Sequence, residues 1–176
     1  TELDSSVCDC CQTSITYSDK GPIVVYRDRS EDEVRDIYVT RNINDEWENP
    51  IPVHNDGWVI YGCPVNGPKV VSSSNNIAVS WFTVLDGKPT VNLSFSESYG
   101  SSFSSPIKIN DRNAIGRVDV AFLNEKEVIV SYMEGDDVGT YLRIKKVSID
   151  GKVSEPITIS KIDSGRGTGV PQLEIL

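Results

Sequence analysis

The stretch that most limits what this chain can fold into is residues 90–106, Thr-Val-Asn-Leu-Ser-Phe-Ser-Glu-Ser-Tyr-Gly-Ser-Ser-Phe-Ser-Ser-Pro. Val91, Leu93 and Phe95 alternate with Asn92, Ser94 and Ser96, the two-residue period of a half-buried strand. A polar turn carrying Gly100 follows, then Phe103, then Pro106 opening a short second strand over 107–109. The phrase occurs twice more. Residues 36–40 lead through Asn42, Asn44 and Asp45 to Trp47 and Pro50, and residues 142–148 lead through Asp150 and Gly151 to Val153 and Pro156. Pro50, Pro106 and Pro156 recur about every fifty residues, and a repeat of that length at this strand density is the signature of propeller blades.

Read by period, each repeat holds four strands, expected at 11–16, 23–26, 36–40 and 51–53, then 68–71, 77–82, 91–96 and 107–109, then 118–122, 128–132, 142–147 and 157–159. The blades span approximately 7–56, 62–111 and 115–161, and residues 165–176 read as the first strand of a fourth. Gly, Pro, Asn, Asp and Ser gather in the links, and no window has the period of an amphipathic helix. The expected class is all-β, a single partial β-propeller domain. Three blades do not close a ring, since propellers have about 4–8. The missing blades are expected from the rest of a longer chain or from a second chain.

The net charge of −9 opposes general affinity for nucleic acid and for anionic membranes. No apolar run approaches the roughly 18 residues of a membrane span. No charged-then-apolar leader opens the sequence, so a targeting segment is expected to have been removed or to lie outside it. Glu31, Asp32 and Glu33 form the one dense acidic run, read as a solvated turn. Of the four cysteines, Cys8, Cys10 and Cys11 fall within four residues and Cys63 stands apart.

The turn phrase resembles the Asp-box (BNR) repeat of the sialidase superfamily, Ser-x-Asp-x-Gly-x-Thr-Trp. Residues 96–103 match it with Ser98 in the Asp place, residues 40–47 match it loosely with Asn42 there, and residues 148–153 keep Asp150 in a shortened form. A wider resemblance rests on Cys8-Asp-Cys-Cys-Gln-Thr13, Tyr26-Arg-Asp28, Arg35-Asp-Ile-Tyr38, Asp56-Gly-Trp58, Gly62-Cys-Pro-Val-Asn-Gly-Pro68, Val79-Ser-Trp-Phe-Thr83 and Gly116-Arg-Val-Asp119. Together these are similar to the later half of bacterial secreted sialidase-like proteins. The resemblance implies a six-bladed propeller, export to the periplasm or medium, and a glycan-directed protein that is an exo-glycosidase when full length. The early-blade Phe/Tyr-Arg-Ile-Pro motif of authentic sialidases does not occur here, so no catalytic set carries over.

In a propeller, links from each outer strand to the next inner strand share a rim with links from second to third strands. That rim is expected to gather Cys8, Cys10, Cys11, His54, Trp58, Cys63, Arg117 and Arg166, with Arg27, Asp28, Arg29, Thr83 and Glu134 beside them. The cysteines admit a disulfide between Cys63 and Cys10 or Cys11, a copper or zinc site that includes His54, or free thiols. Arg27, Arg117 and Arg166, with Trp58, are candidates to bind a carboxylate or sulfate on a glycan or small anion. The competing reading pairs Arg27 with Asp28 or Asp36 and Arg117 with Asp119. Trp58 and Trp81 are candidate sugar platforms or plain packing. Asp28, Asp119 and Glu134 are the acids considered for glycoside chemistry, which needs two carboxyls roughly 5–9.5 Å apart. A non-catalytic scaffold is the third reading of the whole.

Overall fold

The computed structural model describes residues 2–165 and 168–175. Three antiparallel sheets follow one another along the chain. The first contains β1 (Ser14–Ser18), β2 (Gly21–Arg27), β3 (Ile37–Ile43), β4 (Glu46–Trp47) and β5 (Ile51–His54). Here β3 carries two partners on one edge, β4 against Asn42 and Ile43 and β5 against the Ile37–Val39 end. The second sheet is β6 (Lys69–Ser73), β7 (Asn76–Leu85), β8 (Lys88–Ser96) and β9 (Ile107–Lys108). The third is β10 (Asn113–Asn124), β11 (Glu127–Asp136), β12 (Gly139–Ser148) and β13 (Ile157–Ile162). Each runs in sequence order from inner to outer strand, which is blade topology. Pro50, Pro106 and Pro156 each stand just before an outer strand, where a residue without an N–H is tolerated.

The inner strands lie side by side. Thr16 and Ser72 hydroxyls meet at 2.8 Å between β1 and β6, and the Asn66 amide donates to the Ile115 carbonyl at 3.1 Å just ahead of β6 and within β10. One core, Ile23, Val25, Ile37 and Val39 against Ile77, Val79 and Trp81, fills the space between first and second blades. The other, Ala78, Phe82, Val91, Leu93 and Phe95 against Val118, Val128, Val130 and Tyr132, fills the space between second and third. Alternate residues of β7 therefore serve opposite cores. The alternation in 91–96 reads in sequence as one buried face and one wet face, yet Asn92, Ser94 and Ser96 are buried as well. A middle blade is covered on both sides, and its polar face lies against the first blade.

The Asp-box turn of the second blade works without the aspartate, and that of the third uses it. In the second blade Ser96 Oγ accepts from the N–H groups of Ser98 (3.2 Å) and Gly100 (2.9 Å), and Phe103 packs onto the first core. In the third, Ser148 Oγ bonds Asp150 and accepts from Lys152 N at 3.2 Å. The first blade instead turns tightly through Asn44 and Asp45, both at positive φ (54° and 67°), directly into β4. Residues 168–175 form no strand. They are moored by Leu173 N donating to Asp119 Oδ2 (2.7 Å) and by Lys69 Nζ donating to Gln172 Oε1 (2.7 Å).

Candidate functional site

The links before β1 and β6 meet on one rim and bring all four cysteines together. Cys10 and Cys63 are joined in a disulfide with Cα atoms 6.1 Å apart. Cys8 and Cys11 are free thiols, 3.2 Å apart at their sulfurs, and Cys8 Sγ is 3.7 Å from Cys10 Sγ. The sulfurs of Cys8, Cys10 and Cys11 all lie within 4.8 Å of one another. A local turn sets this up, since Cys11 N donates to the Cys8 carbonyl at 3.3 Å and Cys8 N donates to Arg27 O at 2.9 Å. Cys8 is buried, and Arg35 Nη1 donates to its sulfur at 3.2 Å. Burial, with the Cys8 contact second, pushes the Cys11 thiol up to about 11. Outside the bridge lies a cleft of about 290 Å³ bounded by Arg29, Glu33, Arg35, Tyr61, Cys10 and Cys63. Glu33 spans its two arginines, at 2.6 Å from Arg29 Nη2 and 2.5 Å from Arg35 Nη2.

Arg27 ends β2 directly under this cluster and is only 1 % exposed. Its guanidinium donates to three backbone carbonyls: Asn66 O through Nε (3.1 Å) and Nη2 (2.9 Å), Arg35 O through Nη1 (2.5 Å), and Phe82 O through Nη2 (2.6 Å). The Trp58 ring lies 5.1 Å from its Cζ. Burial pulls this guanidinium below its ordinary value, and the nearby sulfurs of Cys11 and Cys8 oppose that pull. Its partners are thus carbonyls rather than Asp28 or Asp36. Asn66, which sequence reasoning did not single out, is the hub of the rim. Its carbonyl takes Arg27, its Oδ1 accepts Arg117 N at 2.8 Å, and its Nδ2 reaches Pro64 O and Ile115 O. Gly116 is required there: it sits at φ +87°, and a Cβ would strike the Asn66 side chain and Phe82 Cβ.

The remaining candidates separate. Arg117 Nη1 and Nη2 donate to the carbonyls of Gly169 (2.8 Å) and Gly165 (3.0 Å) rather than to Asp119. Asp119 caps Val120 N and Leu173 N. Glu134 is fully buried, accepting from Asp111 N, Arg112 N and Arg143 Nη1 at 2.9, 2.8 and 2.7 Å. Asp28 stands at the outer face of the first blade beside Tyr38 and the 2–5 segment, and burial followed by the charges of Asp4 and Asp36 raises its carboxyl above the usual range. Thr83 is buried at the Arg27 level of β7. Arg166 lies outside the described residues.

His54 does not join the sulfurs. Its Nδ1 pairs with Asp56 Oδ1 at 2.9 Å, and Asp56 Oδ2 in turn accepts the Trp81 indole N–H at 2.7 Å. Trp81 is buried in the first core with its one polar atom spent, so it is packing. Trp58 lies edge-on to Phe82, their centroids 5.6 Å apart. Arg35 and Asp56 stand in the motifs that carry the sequence resemblance but were not among the candidate site residues. The spacing Cys8-x-x-Cys11 was a local signal for the thiol pair, since a turn of that length returns one sulfur onto the other.

The sequence matches no protein-family model and no curated protein. Among solved structures the chain is similar to a xylan β-1,4-xylosidase from Bacillus halodurans (TM-score 0.52, 9 % identity), covering 86 % of this chain and 32 % of that one. It is also similar to a neuraminidase-like protein of A/little yellow-shouldered bat/Guatemala/060/2010 (TM-score 0.52, 11 % identity), covering 93 % of this chain and 51 % of that one. The chain therefore spans a third to a half of the length of these proteins. At such identities what is shared is the fold, and with the three sheets it establishes an all-β, partial propeller of the kind found in sialidase-like and glycosidase structures.

Proposed function

We propose that this part-propeller carries a soft-metal site on its rim, with Cys8 and Cys11 as thiolate ligands for monovalent copper. The convergence of the sulfurs supports the reading: two free thiols stand 3.2 Å apart, with a third sulfur inside the same 4.8 Å group. Thiolates select soft ions such as Cu(I) and Zn(II). While Cys10 is bonded to Cys63 it has no thiolate to offer, so the ligand set is two sulfurs and the bridge acts as a staple between rim links. Two thiolates would suffice for a monovalent d10 ion, whereas structural zinc takes four ligands. Zinc becomes the competitor only after reduction returns Cys10 and Cys63 to the set. Competition against a coloured Cu(I) chelator, without reductant strong enough to open the bridge, tests the assignment. A single ion per chain is expected, weakened by about a hundredfold or more in Cys8→Ser or Cys11→Ser, and bound at least as tightly in Cys63→Ser, which frees Cys10 as a third thiol of the group. Copper left entirely with the chelator would overturn it.

A second reading is favoured by the fold likeness. In it the ring, completed by blades from a longer chain or a second chain, is glycan-directed and removes terminal sugars as an exo-glycosidase. The cleft beside the bridge then offers Arg29, 42 % exposed at its side chain, to a carboxylate. Turnover of a fluorogenic sialoside by the completed ring, lost in Arg29→Ala, is the expected result. Inactivity across a broad glycoside panel defeats this reading. Export suits either function, because a standing disulfide belongs to an oxidising compartment.

A further inference from the structure

The four cysteines stand as an inner and an outer pair. The outer pair is the Cys10–Cys63 bridge, which lines the 290 Å³ cleft. The inner pair is Cys8, buried, and Cys11, half-buried, neither of which lines that cleft. The two pairs are within reach of one another, since Cys8 Sγ is 3.7 Å from Cys10 Sγ and 3.2 Å from Cys11 Sγ. A structural disulfide has no need of two unpaired thiols packed against it. From this geometry we propose that the site is a thiol–disulfide exchange relay. It moves one disulfide between Cys10–Cys63 and Cys8–Cys11, and the cleft is the entrance for an external thiol.

The relay balances without any oxidant. The Cys8 thiolate attacks Cys10 Sγ, the Cys8–Cys10 bond forms, and the Cys10–Cys63 bond breaks with its electron pair leaving on Cys63. Cys63 takes a proton from water at the open cleft. The Cys11 thiolate then attacks Cys8 Sγ, Cys8–Cys11 forms, and the pair departs on Cys10. One disulfide and two thiols are present throughout, and two protons pass from the inner pair to the outer. Arg35, donating to Cys8 Sγ at 3.2 Å, provides a guanidinium partner for the negative charge that the Cys8 thiolate carries before it attacks. The outer pair, once reduced, faces the cleft and can reduce a disulfide presented there. The outer pair, when oxidised, can accept electrons from a thiol entering by the same route.

This inference concerns the same sulfurs as the copper reading but does not need an ion, and bound copper would withdraw both inner thiols from exchange. The test is run on the full chain, anaerobically and with chelator present, so that neither air nor metal contributes. After incubation in native buffer the sample is acid-quenched, alkylated and peptide-mapped. The expected result is label shared between the two pairs, with Cys63 and Cys10 gaining what Cys8 and Cys11 lose. Cys11→Ser should trap the Cys8–Cys10 bridge and leave Cys63 labelled, while Cys8→Ser should slow labelling of Cys63 by at least about tenfold. Added β-mercaptoethanol should form its adduct on Cys63 or Cys10. Label confined to Cys8 and Cys11 in the wild-type chain would overturn the relay, and an adduct first on Cys8 or Cys11 would overturn the entrance. Neither outcome touches the copper titration, which reads the inner thiols directly.

Discussion

Arg27→Met separates a ligand-binding arginine from one that holds the rim together. Methionine keeps much of the aliphatic volume and removes every donor. Three buried carbonyls, Asn66 O, Arg35 O and Phe82 O, then lose four N–H···O bonds from a charged group. A hydrogen bond to a charged group contributes about 1.5–3 kcal/mol net, and an abandoned buried partner costs about 1–3 kcal/mol. Three carbonyls therefore set an upper bound of roughly 9 kcal/mol, reduced by water entry and by each carbonyl's second lone pair to an expected 3–5 kcal/mol. The offset from no longer burying a charge is included in that range. With a urea slope of about 2 kcal/mol/M, the midpoint should fall by roughly 1.5–2.5 M. Arg27→Lys should recover part of this, since one ammonium cannot reach three acceptors at once. Urea unfolding followed by tryptophan fluorescence reads the shift, because Trp58 and Trp81 both sit beside the affected links. A midpoint lowered by less than about 0.5 M, with loss of an anionic ligand's binding instead, would refute the structural role.

Asp119→Ala should free residues 168–175 from Leu173 N and make that segment the first site of limited proteolysis, at a stability cost of about 1–2 kcal/mol. Cys63→Ser removes a bridge across a sequence separation of 53, which the chain-entropy account values at about 4 kcal/mol; a urea midpoint within error of wild type would show the bridge to be unimportant to the fold. For Cys11, the folded thiol titrates near 11 rather than at its ordinary 9.0, so the folded state holds its proton more tightly. Its contribution is fully present below pH 9 and is lost as pH rises from 9.0 toward about 11. Wild type should weaken relative to Cys11→Ala over that window, and parallel pH profiles would contradict it.

The blade plan was legible because it is written in local signals. Val91, Leu93 and Phe95 alternate, and Pro106 marks the next edge strand, so sheet, turn and outer strand follow without knowledge of distant residues. The meeting of Cys63 with Cys10 was legible at one remove, since blade topology alone puts the links before β1 and β6 on one rim. The partners of Arg27 were not. A guanidinium in sequence invites a search for carboxylates, and its actual acceptors are main-chain carbonyls up to 55 positions away, which every residue possesses. Asn66 was hidden for the same reason, because its role is to gather backbone groups of Pro64, Ile115 and Arg117 and to offer its own carbonyl to Arg27. The burial of Ser94 and Asn92 depends on the first blade covering that face, a tertiary event that outweighs the two-residue pattern. Of the fourth inner strand expected over 165–176, residues 168–175 form no ladder and are held instead by single contacts, Leu173 N on Asp119 and Gln172 on Lys69.

Those long-range bonds also decide what the cysteines can do. Arg27 fixes the Asn66 carbonyl, Asn66 fixes the link that carries Cys63, and Cys8 N hangs from the Arg27 carbonyl itself. The guanidinium thus holds the Cys63 side of the distance between the inner thiols and the outer bridge, while the main-chain carbonyl of the same residue holds the Cys8 side. A sulfur displaced by an ångström loses a near-attack geometry, whether the partner is an ion or another sulfur. Arg27 and Arg35 consequently govern thiol chemistry, Arg27 through the links and Arg35 through its bond to Cys8 Sγ. Their substitution should change copper affinity and exchange rate together, whereas a ligand-binding arginine would leave the Cys8–Cys10 separation untouched.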